Sequence, residues 1–286
     1  MVAIVTVVVS VVVSSAAVSG SANELIDRSV ETRASTAAEE LRAYIDGLTR
    51  NMRLLTASPG MTDTSRAFTE GFRLLNAEDP DSLAAEKDAL TRFYLDEFLP
   101  ALSEVRGQPV DPTEFFPTAE AAALYLQNTY IALNPFEGDD RRLLSNAEDD
   151  SAWTAVHVDA HPALRDIADQ LGFLDLMIVD AATQSIVYSV AKDVAFATTL
   201  DTGPHSGSTL AGLVRRVVAD PKEGDVIGTD VAIYPPSGDQ PTAFLAAPIF
   251  VDGTFEAVLV GAVAFDEITA IMTSDWRAGR FGETGE

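Results

Sequence analysis

The 286 residues carry 44 acids against 19 bases, a net charge of −25, and a surface that acidic repels phosphate, which excludes nucleic acid and anionic membranes as partners. There is no cysteine, so disulfides, thiolate nucleophiles and cysteine-held metals are excluded as well. An apolar content of 47% is enough to bury one large core or two modest ones.

In chain order, Val2–Val18 contains only Val, Ala, Ile, Ser and Thr. At about 1.5 Å per residue it reaches across most of a hydrocarbon layer. Residues 1–22 therefore read as a transmembrane helix that anchors the chain, or as a signal segment cleaved near Gly20-Ser21-Ala22. Either reading places the remainder outside the cytoplasm. Residues 23–60 read as one long stalk helix. Val30, Ala34, Ala37, Leu41, Ile45, Leu48, Met52 and Leu55 recur at steps of three and four, and Ser58-Pro59-Gly60 stops the pattern. Such a seam pairs with a second copy to make a homodimer, or packs along its own domain.

Residues 61–150 are expected to be a helical region, with helices at Ser65–Asn76, Ser82–Val105 and Ala119–Ala132, the last capped by Thr118 and stopped by Asn134-Pro135. The acid-rich stretch Glu137–Asp150 lacks the spaced Asp/Asn order of a calcium loop and is interrupted by Arg141-Arg142, so it reads as a solvated loop. His157 and His161 share a face if their segment is helical, with Pro162 expected to end it. Val158 stands where a zinc hydrolase has its Glu, so the pair reads as structural or pocket-lining, with no metal and no cofactor.

The stretch Leu174–Leu200 organises the rest of the chain. Leu174–Val179 and Ile186–Val190 are β-branched runs around a polar turn, the pattern of a β-hairpin, and Lys192, Asp193 and Phe196 leave its second strand. A helix from Ser208 to about Ala219 comes next, then three strands: Val226–Tyr234, Thr242–Phe250 and Phe255–Phe265. A long helix, two strands, a helix and three strands give an α/β (α+β) chain with a PAS-like antiparallel five-stranded sheet. The sheet occupies residues 151–276, and 277–286 reads as a link cut in mid-course.

Ordered phrases along this stretch resemble the double-Cache extracellular sensor domains of bacterial membrane receptors, closest to those of class III adenylate/guanylate cyclases, with related copies on chemoreceptors and histidine kinases. They are Tyr125-Leu126-Gln127 with Tyr130-Ile131 and Asn134-Pro135, His157 with His161-Pro162, and Asp175-Leu176 with Asp180. Ile186–Val190 with Lys192, Gly203-Pro204, Tyr234-Pro235 with Ser237, Pro248-Ile249, and Met272-Thr273 with Trp276 continue the series. Leu174, Gln184, Ala195 and His205 depart from the family's pattern, with a carboxylate lost at position 195 and an imidazole gained at 205.

The resemblance implies an extracytoplasmic sensor, held at the cell membrane, that binds a small molecule at the open face of the sheet and signals through paired long helices to a cytoplasmic output. It implies no catalysis within this chain, and the sequence holds no hydrolase elbow, phosphate loop or dinucleotide fingerprint. The expected ligand-binding residues are Asp175, Tyr188, Lys192, His205, Tyr234 and Asp266, with His157 and His161 beside them. Lys192 would meet a carboxylate, and Asp175 or Asp266 an amine. A ligand-free dimerisation module and a secreted hydrolase are the competing classes.

Overall fold

The computed structural model describes residues 21–116, 120–266 and 268–271, with side chains from Ser35 onward. The membrane anchor or signal segment, the Thr118 cap and the closing link all lie outside the described residues. Among the described residues no helix is long and apolar enough to cross a membrane.

Helix α1 (Ser21–Thr56) is followed almost at once by α2 (Pro59–Asn76), because Ser58 does not only stop the first helix. Its Oγ accepts the Met61 N–H at 3.3 Å and caps the second, with Pro59 in the first turn, where a missing N–H costs nothing. The α1 seam is buried from Leu41 onward. Leu41, Leu48 and Met52 are in the core, with Ile45 and Leu55 half-buried on it, and α1 packs on the two longest strands of the sheet. That half of the seam covers the chain's own sheet, so it is not open to a second copy.

The helix expected over Ser82–Val105 is a broken series: α3 (Ala84–Phe93), a π turn at Tyr94–Phe98, and α4 (Leu99–Arg106). Pro100 has no N–H to give to the preceding turn, and the ladder widens just ahead of it. A second π turn, Asn128–Ala132, ends α5 (Ala121–Gln127).

Pro162 does not end an element. It lies inside α6 (Ala152–Leu171), a 20-residue helix that the periodicity did not reveal. Ser151 caps it by accepting the Thr154 N–H at 3.0 Å, and Gly172 closes it at φ 72°. Trp153, His157, His161, Leu164 and Ala168 form its buried stripe, while the turn that Pro162 disturbs, at Val158, faces outward. Burial of the stripe outweighs the one lost hydrogen bond.

A single antiparallel sheet makes the rest a mixed α+β fold: β1 (Phe173–Asp180), β2 (Ile186–Ser189), α7 (Thr209–Ala219), β3 (Ile227–Gly228), β4 (Ala232–Tyr234), β5 (Gln240–Val251) and β6 (Thr254–Ala264). The order is β2-β1-β6-β5-β3, with β4 also on β5. Six strands replace the expected five because Val226–Tyr234 is interrupted. Thr229 turns its hydroxyl to the Phe244 N–H (3.0 Å) in place of a regular ladder bond. The β5–β6 hairpin closes on Asp252-Gly253, both at positive φ, as two-residue hairpin loops require.

Candidate ligand-binding site

Register decides which side chains share the open face of the sheet. Asp175 pairs with Ala262, and Ala264 with Thr242, so these four lie on one side of β1, β6 and β5. The two alanines leave space where larger residues would fill it. Over them lies a cleft of about 660 Å³, closed from the other side by Phe93, Glu97 and Phe98 of the α3–α4 series and by Arg141 and Arg142. A volume of that order suits a small molecule.

Asp175 organises the wall. Its Oδ1 accepts the N–H groups of Val190 (2.8 Å) and Ala191 (3.0 Å), and its Oδ2 accepts the Ser189 hydroxyl (2.7 Å). Ser189 Oγ in turn accepts the Lys192 N–H at 2.9 Å. Burial pushes the Asp175 carboxyl up, against the pull of these donors. This network fixes the turn leaving β2 and sets Lys192 at φ 60°, a left-handed conformation that bulky residues rarely adopt.

Two consecutive ionisable residues then follow. Lys192 is 0% exposed: its Nζ donates to the Ser189 carbonyl at 2.6 Å and lies 5.1 Å from the ring centre of Tyr188, and 5.7 Å from those of Tyr130 and Phe196. Burial brings its ammonium down to about 7. The expected ligand cation is thus held inward by an aromatic cage. Asp193 lines the cleft beside it. Its Oδ1 accepts the Ala195 N–H at 2.9 Å, and burial, with the Asp175 charge beside it, pushes its carboxyl up to about 7.

Tyr234 lines the cleft with its hydroxyl buried and without a hydrogen-bond partner. Arg141 is alike: its Nε is buried and unpartnered, and its guanidinium rests 5.0 Å over the Phe93 ring. Burial lowers its pKa, while Glu97, Glu137, Asp193 and Asp139 act to raise it. Arg142 is committed to Asp169.

The remaining expected residues lie elsewhere. Tyr188 is core, its ring 4.4 Å from Phe68 and its hydroxyl 2.8 Å from His161 Nδ1. His161 Nε2 reaches the Arg142 carbonyl at 2.7 Å, which can only accept, so Nε2 carries the proton and Nδ1 accepts from Tyr188. His157 stacks on His161 at 4.2 Å, with Nδ1 on the Ser145 carbonyl. Burial holds His161 down to about 3, so this pair is neutral core packing behind β2. His205 is buried beside Phe115 with Nε2 3.3 Å from the Val194 carbonyl, and burial brings it down to about 4. Ser208, three residues further on, is used as the cap of α7, its Oγ accepting the Ala211 N–H at 3.1 Å. Asp266 is exposed past the end of β6 and does not line the cleft. Of the eight, Asp175, Lys192 and Tyr234 come together at the cleft wall, and only Tyr234 keeps a free polar group there.

No protein-family model matches the chain, and no curated protein or solved structure matches it. The site therefore stands on its own chemistry. Asp193, Arg141 and the Phe93–Phe98 wall were not among the expected residues. Asp193 had a faint signal, since it adjoins a candidate Lys on a segment where neighbours alternate. Arg141 had none, because two arginines in an acidic loop look solvated.

Proposed function

We propose that this chain is the extracytoplasmic sensing region of a membrane signal-transduction receptor of the double-Cache type, binding a small molecule in the cleft over β1, β5 and β6. The observation that carries the reading is the cleft itself. It is roomy, its accessible lining is more apolar than polar, and Tyr234 and Arg141 on its wall each keep a buried polar atom without a partner, beside the Asp193 carboxylate, which accepts the Ala195 N–H. Buried polar groups without partners cost stability, and a bound molecule that satisfies them recovers it. The run of two strands, a helix and returning strands that pair beside the first supports the PAS-like layout.

Signal transfer would use the same sheet. β5 and β6 carry Thr242, Ala262 and Ala264 at the cleft and also pack against α1. A ligand that prefers one spacing of these strands biases the seat of α1, and differential affinity for two seats is what carries a signal. The paired helices of the proposed homodimer would then meet through the seam before Leu41, with an adenylate or guanylate cyclase, a histidine kinase or a chemoreceptor as the output.

The test is a thermal-shift screen of the full chain against a broad metabolite library, since a ligand that binds only the native state raises its midpoint. We expect hits whose shift disappears in Asp193→Asn and in Tyr234→Phe. A library without a single hit, or hits indifferent to both substitutions, would remove the sensing role from this cleft.

A further inference from the structure

The charges around the cleft restrict the chemistry of its occupant, and we propose, resting on the sensing role above, that it receives an uncharged molecule bearing an amide or similar adjacent C=O and N–H, on an aromatic or apolar body. Its carbonyl would be met by Arg141 and Tyr234, and its N–H by Asp193.

Three observations lead there. Arg141 Nε and the Tyr234 hydroxyl are both buried at the cleft without a partner, and both are donors seeking an acceptor. A carbonyl oxygen has two lone pairs to offer. An ammonium ion has none, so an amine could donate to the Tyr234 oxygen but would leave the Arg141 N–H unpaired while adding a positive charge beside the guanidinium. A carboxylate would satisfy the donors, but it would enter among Glu97, Glu137, Asp139 and Asp193, the acids that already act on Arg141. In a partly desolvated site that repulsion offsets the gain from one guanidinium. Asp193 supplies the acceptor for an N–H, and the Phe93 and Phe98 rings wall the apolar body. A neutral donor–acceptor edge is the arrangement that satisfies all three polar groups without a new unpaired charge.

Three compounds of one shape isolate this choice: benzamide, benzoate and benzylamine share the ring and differ in the head group. Titration calorimetry on the full chain should show benzamide binding at least about tenfold more tightly than either charged analogue. Arg141→Met, Tyr234→Phe and Asp193→Asn should each weaken benzamide by about threefold to thirtyfold, with circular dichroism confirming that each variant is folded. Tighter binding of benzoate or benzylamine, benzamide binding unchanged in all three variants, or no benzamide binding at millimolar concentration would each overturn the inference. Should the library screen yield cleft-dependent hits of another class, the sensing role stands and this assignment of head group alone falls.

Discussion

Lys192 and Asp193 show how much one backbone torsion decides. They are adjacent, both ionisable, and both visible in the sequence as the exit from β2. The positive φ at Lys192, imposed by the Asp175 and Ser189 network, sends the lysine into the aromatic cage and leaves the aspartate on the cleft. A lysine is exposed by default, so the sequence placed Lys192 at the rim without showing that its ammonium would be caged. That burial has a measurable consequence. The Lys192 ammonium titrates at about 7 when folded and near 10.5 in an ordinary setting. Between those values the unfolded chain holds a proton that the native state does not, so stability rises with pH by up to about 1.4 kcal/mol per unit. Below about 7 both states are protonated and this slope vanishes. Urea unfolding at about pH 7.5 and about pH 9.5 should show wild type gaining roughly 2 kcal/mol more than Lys192→Met over that interval. Parallel slopes would mean that water reaches the ammonium.

At the scale of elements, the hairpin, α7 and the long strands were legible because each is a periodic run between turn residues. The missed and misjudged elements share a cause, which is tertiary burial overriding a local breaker. Pro162 sits within α6 because the Trp153–Ala168 stripe is buried regardless, and the π turns, the first of them just ahead of Pro100, carry the buried Tyr94 and Tyr130 without breaking the packing. Close approach of α2 to α6 is equally invisible in the sequence. A Cβ on Gly71 would stand 2.9 Å from Trp153 Cα and 3.1 Å from its N, both backbone atoms that cannot swing aside. Gly71→Ala should therefore cost roughly 1–3 kcal/mol, the usual penalty of overpacking, despite the better helix propensity of alanine. Gly60→Ala, in the same helix but with nothing within 4 Å, should be neutral or gain up to about 1 kcal/mol. Equal thermal midpoints for the two variants would contradict this packing.

At the scale of the whole molecule, α1 is both the cover of the sheet and the proposed route out of it. The heptad spacing was legible, but spacing cannot say whether a partner or the chain's own strands will bury it; the apolar faces of β5 and β6 settle it from Leu41 onward. Leu48, 3% exposed, is a direct probe. Leu48→Asp should lower the stability of the fold itself by about 3 kcal/mol or more, as a charge placed in a core does. A variant of unchanged stability that only loses mass in sedimentation would assign the residue to a dimer seam. The central claim concerns the cleft, and hydrogen exchange read by mass spectrometry, with and without a compound that stabilises the full chain, tests it most directly. The account predicts that slowed exchange concentrates in residues 190–198, 234–242 and the adjoining part of α1. Protection confined to the groove between Leu54 and Leu171, with the 190–198 segment unchanged, would contradict it.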